Sequence, residues 1–206
     1  RLPVVPLPKT PYAVARDFAQ VTQLGAVPVV LVANSNVKAT TVKELVALAK
    51  ATPGKLTYAS SGSGSPQHLS AELFKAMTGT DITHVPYRGS APADVDLVAG
   101  QIQFMTDTIN SVMPFVKDKR LKLLAVTTSQ RMSLFPEVPT LGETVMPGFE
   151  AGAWQGIMVP ANTPKAVVQR LNAEINKALQ SAEVKERLAL QGAEPLEARA
   201  ACRRRA

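Results

Sequence analysis

Residues 58–74 read YASSGSGSPQHLSAELF: an apolar, strand-like approach, a loop at Ser61-Gly62-Ser63-Gly64-Ser65, and then a helix-like run. A loop of this content can be a Gly/Ser linker, a phosphate cradle, the nest of a nucleophilic serine, or a seat for another anion. Its flanks argue for order. Ser65-Pro66 has the form of an N-cap followed by proline at the first helical position, so both ends of the loop are pinned. An ordered anion-facing turn therefore fits the stretch better than a linker does.

Working outward, the strand, loop, helix unit repeats. Val27 to Val32 is a near-continuous apolar run of the kind buried on both faces of a parallel sheet. Thr41-x-x-Glu44 matches a capping box, and Val42, Leu45, Val46 and Ala49 recur at helical spacing until Pro53-Gly54. A strand at Leu56 to Ser60 leads into the loop, and the helix after it, Pro66 to Met77, carries Leu69, Leu73, Ala76 and Met77 on one face. Then come a strand at Ile82 to Val85, a loop to Ser90, a helix at Pro92 to Ala99, a strand at Ile102 to Met105, a loop at Thr106 to Asn110, a short helix at Ser111 to Val116 and a strand at Leu121 to Thr127. Such alternation predicts an α/β fold with a parallel, doubly wound sheet.

Beyond Thr128 the texture changes. Pro136, Pro139 and Pro147 punctuate an irregular stretch in which a domain crossing is expected, before a strand at Trp154 to Pro160. Thr163-Pro164 opens an amphipathic helix with Val167, Val168, Leu171, Ile175 and Leu179 on one face, and Ala182 to Gln191 forms a shorter one. The proline-rich start, residues 1–12, reads as an extended arm, and residues 197–206 as a basic tail without apolar periodicity.

At 46% hydrophobic and 19% charged residues the chain has the composition of a globular protein, not a disordered one. Its formal charge of +7 invites a nucleic-acid reading, but Arg199, Arg203, Arg204 and Arg205 crowd the tail, and without them the excess falls to +3. Aromatics are only 5%, and the remaining Lys and Arg are scattered along helical segments, so neither a stacking platform nor a phosphate-tracking stripe is present. Cys202 is the single cysteine, which excludes an internal disulfide and a thiol-rich metal cluster. No apolar run approaches the roughly 18 residues of a membrane-spanning helix. No signal-peptide pattern opens the sequence, which implies a cytoplasmic chain or one whose beginning is missing.

If the strands are parallel, the loops Ser61 to Ser65, Tyr87-Arg-Gly-Ser90 and Thr106-Asp-Thr-Ile-Asn-Ser111 emerge together at the carboxyl edge of the sheet. Each brings small hydrogen-bonding groups to a helix N-terminus, where free N–H groups and the dipole favour an anion. Nucleotides fit poorly. The glycine-rich loop lacks the Gly-Lys-Ser/Thr ending of a P-loop, and Ser65-Pro66-Gln67 stands where a dinucleotide motif needs its third glycine. A nucleophilic serine needs a base, and the only histidines are His68, one turn into the following helix, and His84, within a strand. A hydrolase or transferase using Ser63 or Ser61 with His68 remains the alternative; the simpler reading has His68 holding the loop and His84 satisfied within the sheet. Two histidines and a distant cysteine suggest no metal, and no cofactor motif is present. Asp107 can be a turn residue or an acceptor for a ligand amine or hydroxyl, and Trp154 a core residue or an apolar wall.

Several of these stretches carry a family resemblance. Pro28-Val-Val-Leu-Val-Ala-Asn34, Pro53-Gly-Lys-Leu-Thr-Tyr-Ala-Ser-Ser-Gly-Ser-Gly-Ser-Pro-Gln-His-Leu69, Glu72-Leu-Phe74, His84-Val-Pro-Tyr-Arg-Gly-Ser-Ala-Pro92, Leu123-Leu-Ala-Val-Thr127 and Pro136-Glu-Val-Pro-Thr140 resemble the Bug family. These are extracytoplasmic solute-binding receptors associated with tripartite tricarboxylate transporters. The resemblance implies a type II periplasmic-binding-protein fold, two α/β domains joined by a hinge and closing on a small carboxylate such as a dicarboxylate, a tricarboxylate, an amino acid or an aromatic acid. It implies that 33–125 form the second domain, that 1–32 and 126–196 belong to the first, and that the first is incomplete at both ends, so that a non-binding remnant is a further alternative. Carried over by motif, Ser61, Gly62, Ser63, Gly64 and Ser65 line one side of the ligand, with Tyr87, Arg88, Gly89 and Ser90 adjacent. Asp107 matches the family's aspartate after the next strand, and Trp154 its aromatic near the crevice. Membrane transporter subunits are the implied partners and the periplasm the implied location.

Overall fold

The computed structural model describes residues 11–190 and residue 193. The arm at 1–10, the tail at 197–206 and Cys202 lie outside the described residues. Two compact units divide the chain, one comprising Pro28–Ala153 and the other the described parts of Leu7–Val27 and Trp154–Ala206.

The first unit is built on strand β1 (Phe18–Asn34), whose later half enters it, followed by α2 (Val42–Ala51), β2 (Thr57–Ser60), α3 (Pro66–Thr78), β3 (Thr83–Pro86), α4 (Ser90–Ala99), β4 (Phe104–Thr108), α5 (Ile109–Lys117) and β5 (Leu121–Val126); a short helix α1 (Val14–Asp17) precedes β1. The strand order is β3-β2-β4-β1-β5. β2 runs parallel to β3 and to β4, whereas β1 runs antiparallel to both of its neighbours, with Val29 opposite Thr108 and Ala33 opposite Phe104. This corrects the all-parallel sheet expected from the sequence. An apolar run such as Val29 to Ala33, every residue of which is at most 1% exposed, reports burial on both faces and carries no information about direction.

Local chemistry explains the element ends. Glu44 N–H bonds Thr41 Oγ1 at 3.2 Å, and the Glu44 carboxylate reaches back to Thr40 N at 2.7 Å, so the capping box at α2 closes one residue further out than its pattern implies. Ser65 Oγ accepts from His68 N at 3.2 Å with Pro66 first in α3, and Gly79 closes that helix in the left-handed conformation. Asp107, expected in a loop, is in β4, and α5 begins at Ile109, two residues earlier than the helix read from the sequence.

The core gathers Leu31, Leu45, Tyr58, Phe74, Ile82 and Phe104 with Leu141, Met146 and Phe149. These last three come from the irregular stretch after β5, which is tied down by Ala151 N to Thr127 O and Leu141 N to Val126 O, both at 2.9 Å. That stretch therefore belongs to the first unit, although the sequence reading groups 126–153 with the segment after it. The face of α3 also differs from expectation: Gln67, His68, Ala71, Phe74 and Thr78 are buried, while Leu69 and Met77 are 42% and 41% exposed.

In the second unit β6 (Gly152–Pro160) pairs with β1 and is followed by α6 (Lys165–Gln180) and α7 (Ala182–Leu190). Asn172 Nδ2 donates to Val21 O at 2.7 Å, holding α6 against the strand.

Candidate functional site

Because β2 runs parallel to β3 and to β4, the loops after β2 and β3 and the junction of β4 with α5 lie at one edge of the first unit. The loop at 61–65 is ordered from within. Ser65 N bonds Gly62 O at 3.2 Å, Gly64 N donates to His68 Nδ1 at 3.1 Å, and Gly89 N bonds Ser61 O at 3.1 Å, which clips the second loop to the first. Gly62 at φ +137° and Gly89 at φ +109° adopt backbone conformations that a side chain would strain, so glycine is required at both turns.

The polar side chains behind the loops form one network. Ser61 Oγ donates to Gln67 Oε1 at 3.0 Å, and Gln67 Nε2 donates to Asp107 Oδ1 at 2.8 Å. Asp107 Oδ1 also accepts from Ser90 Oγ at 3.2 Å and from Thr108 N at 2.6 Å. The Asp107 side chain is wholly buried, so it acts on the loops through Gln67 and Ser90. Among the described residues the main-chain N–H groups of Ser63, Arg88 and Ser90 form no hydrogen bond. These donors, with the positive end of α4, are what the edge offers to an anion.

A second cluster supports the first from below. Ser60 Oγ and His84 Nε2 are 2.7 Å apart, His84 stacks on His68 with ring centres 4.2 Å apart, and Tyr58 stacks on His84 at 4.8 Å. Burial, reinforced by His68, pushes the His84 imidazole down to about 4, so it is neutral at physiological pH. Tyr58 Oη donates to Glu72 Oε1 at 2.6 Å, and burial with that bond raises the phenol well above its ordinary value. Both histidines thus have the loop-holding and sheet roles expected of them.

Of the sequence-derived site residues, Ser61 to Ser65, Tyr87 to Ser90 and Asp107 share this edge. The Tyr87 hydroxyl turns away to Asp96 Oδ2 at 2.7 Å, while the Arg88 side chain is exposed. Trp154 lies in the other unit and is 63% exposed, so it is not the core residue its simplest reading implies. Ser61 and His68 do not form a serine-nucleophile pair: Ser61 Oγ donates to Gln67 Oε1, and His68 Nδ1 accepts from Gly64 N. Gln67 is one of two residues missed from the sequence. Its signal was available, a polar residue at the first turn of a helix whose apolar neighbours Leu69 and Met77 do not share its face, but the Leu and Met stripe outweighed it. Asp94, whose Oδ2 accepts from Ser111 Oγ at 2.5 Å, was missed because it looks like any helix-surface carboxylate.

Comparison with known proteins identifies the architecture. Residues 2–204 match the tripartite tricarboxylate transporter family receptor. A Pseudomonas protein from the tcbD-tcbE intergenic region is 42% identical over 88% of this chain and 54% of its own length. Protein BugT of Bordetella pertussis is 40% identical over 92% of this chain and 58% of its own. The chain therefore spans a little over half the length of these relatives. Among solved structures, an R. palustris protein with adipate superposes with a TM-score of 0.85 at 37% identity, covering 89% of this chain and 62% of that one. MatC of Rhodopseudomonas palustris with bound malate gives 0.83 at 34% identity, covering 91% and 64%. The fold is that of the periplasmic solute-binding proteins, and the chain belongs to the tripartite tricarboxylate transporter receptor family.

Proposed function

We propose that this chain is the loop-bearing part of a periplasmic receptor that binds a small carboxylate without chemical conversion and presents it to a membrane transporter. The observation that carries the reading is the set of unpartnered main-chain donors at Ser63, Arg88 and Ser90 on one sheet edge, in a chain of a receptor family. Neutral N–H groups at loop turns and a helix start stabilise a carboxylate without needing a buried cation to pair with it. In this reading Ser61 to Ser65 form one side of the seat, and Tyr87 to Ser90 the adjacent side. Asp107 supports both from behind, and Trp154 enters on family resemblance alone. The bound acids of two structural relatives, adipate and malate, support a dicarboxylate as the ligand class.

The test is calorimetric titration of the chain with adipate, L-malate and citrate, with a neutral diol as control. Saturable binding of at least one acid and none of the diol is the expected result. No binding of any acid would remove the proposal for this chain. Stoichiometric labelling of Ser61 or Ser63 by a serine-directed phosphonate would favour the hydrolase instead.

A further inference from the structure

Two histidines lie face to face behind the loop at 61–65, His68 and His84 with ring centres 4.2 Å apart, and a proton affects their contacts differently. His68 Nδ1 accepts from Gly64 N at 3.1 Å, which requires the neutral ring with its proton on Nε2. A peptide N–H can only donate, so a proton on Nδ1 sets two donors against each other and the bond is lost. His84 Nε2 instead faces Ser60 Oγ at 2.7 Å, and Ser60 Oγ lies 3.2 Å from both Gly62 N and Gly62 O. That hydroxyl can accept from a protonated Nε2 while giving its own proton to Gly62 O, so this contact survives either charge.

The surroundings favour a single proton on the pair, at His68. Ser60, the partner of His84, is 0% exposed, and burial with the His68 ring beside it pushes the His84 imidazole down to about 4. Two imidazolium rings 4.2 Å apart would also repel. The titratable and charged groups around His68 are Glu72 and Lys75 from α3, Tyr58 from β2 and His84 from β3. Glu72, held by Tyr58 Oη at 2.6 Å and by Lys75 Nζ at 2.7 Å, is the carboxylate that acts on a charge at His68. Histidines as a class gain that charge between about pH 8 and pH 5.

We propose that His68 is a positioning residue whose neutral ring latches the loop at Gly64, and that protonation of Nδ1 unlatches it in mild acid. The loop's other ties, Ser65 N to Gly62 O at 3.2 Å and Gly89 N to Ser61 O at 3.1 Å, contain no titratable group and stay. The change is therefore local: Gly64, at φ +83° and without a side chain, is free to turn. Ser63 N, next to it, is one of the donors of the carboxylate seat proposed above, so acid loosens that side of the seat. This consequence rests on that reading; the latch does not.

Nuclear magnetic resonance of the chain between about pH 8 and pH 5 tests the latch without any variant. The Gly64 amide signal is expected to move on the same titration curve as the His68 ring nitrogens, while the His84 nitrogens keep their neutral positions. Its protection from hydrogen exchange, corrected for pH, is expected to fall about fivefold to tenfold, the worth of one net hydrogen bond. In His68→Asn, whose amide oxygen accepts from Gly64 and takes up no proton, the protection stays level. Calorimetry of both proteins with L-malate at about pH 7.5 and pH 5.5 reads the consequence, because the titration of malate itself cancels between them; the wild type is expected to lose about fivefold in affinity relative to the variant. A Gly64 signal that does not follow His68, or protection that falls equally in His68→Asn, overturns the latch. Equal loss of affinity in the two proteins overturns its effect on the seat. A latch that titrates as described, with no binding of malate to either protein, overturns the carboxylate reading and leaves the latch standing.

Discussion

Helices α3 and α6 use their surfaces in opposite ways. α3 buries Gln67 and His68, both hydrogen-bonded, together with Ala71 and Phe74, whereas α6, with the more regular apolar face, buries Leu179 and leaves Val167 and Leu171 46% and 37% exposed. Burying polar groups is unfavourable unless each finds a partner, so a helix that does so is held by specific bonds as well as by apolar contact. α6 is held by two polar contacts to β1, Asn172 Nδ2 to Val21 O at 2.7 Å and Thr22 Oγ1 to Asn176 Oδ1 at 3.3 Å, and buries little apolar surface. The larger share of buried apolar surface among the described residues lies in the first unit, beside the polar layer that carries the loops.

The largest effect that separates the two helices is expected from Phe74→Ala, which empties a site 1% exposed beside Phe104; it should cost about 3–5 kcal/mol in urea unfolding. A loss below about 1 kcal/mol would mean that the core of the first unit is looser than described. Gln67→Leu keeps the volume but removes a donor from the buried Asp107 carboxylate. It is expected to cost about 1.5–3 kcal/mol, with Gln67→Glu no better, because a second carboxyl there faces Asp107.

A pH series sharpens the comparison further. His84 is held down near 4 from an ordinary value of 6.5, so its contribution to stability is present above about pH 6.5 and is lost as pH falls through about 4. Asp94 is raised to about 6 from 3.8, so its contribution is full below about pH 4 and is lost as pH rises through about 6. The two slopes oppose each other across the same window. Urea midpoints of the wild type should change little between about pH 4 and pH 6.5. Those of Asp94→Asn should climb with pH, and those of His84→Gln should fall. Parallel curves for all three proteins would contradict the assignments. The smallest effect belongs to α6: Leu171→Ser and Val167→Ser should change stability by less than about 0.5 kcal/mol, since neither side chain leaves a buried site.

Element positions were largely legible in the sequence because they rest on local signals. Ser65-Pro66, Gly79 and the Thr41 to Glu44 box mark ends whose chemistry is complete within a few residues. Strand direction was not legible, since the apolar run of β1 is the same whether its neighbours run with it or against it. The face of α3 was misread for a related reason. Gln67 and His68 are buried only because Asp107 and Gly64, distant or nearby in sequence, meet them in space, and no period within the helix records that. The loops at Ser61 to Ser65 and Tyr87 to Ser90 were found because glycine and serine at a strand-to-helix turn have few other uses, while Asp94 stayed hidden because its partner Ser111 comes from another element.

The central claim, that the two loop turns at 61–65 and 87–90 form a carboxylate seat, is tested most directly by the amide resonances of the loops during a titration with L-malate. The account predicts that the N–H signals of Ser63, Arg88 and Ser90 shift together along one saturation curve, while those of α6 stay in place. Saturable shifts confined to other residues, or no saturable shift anywhere, would contradict it.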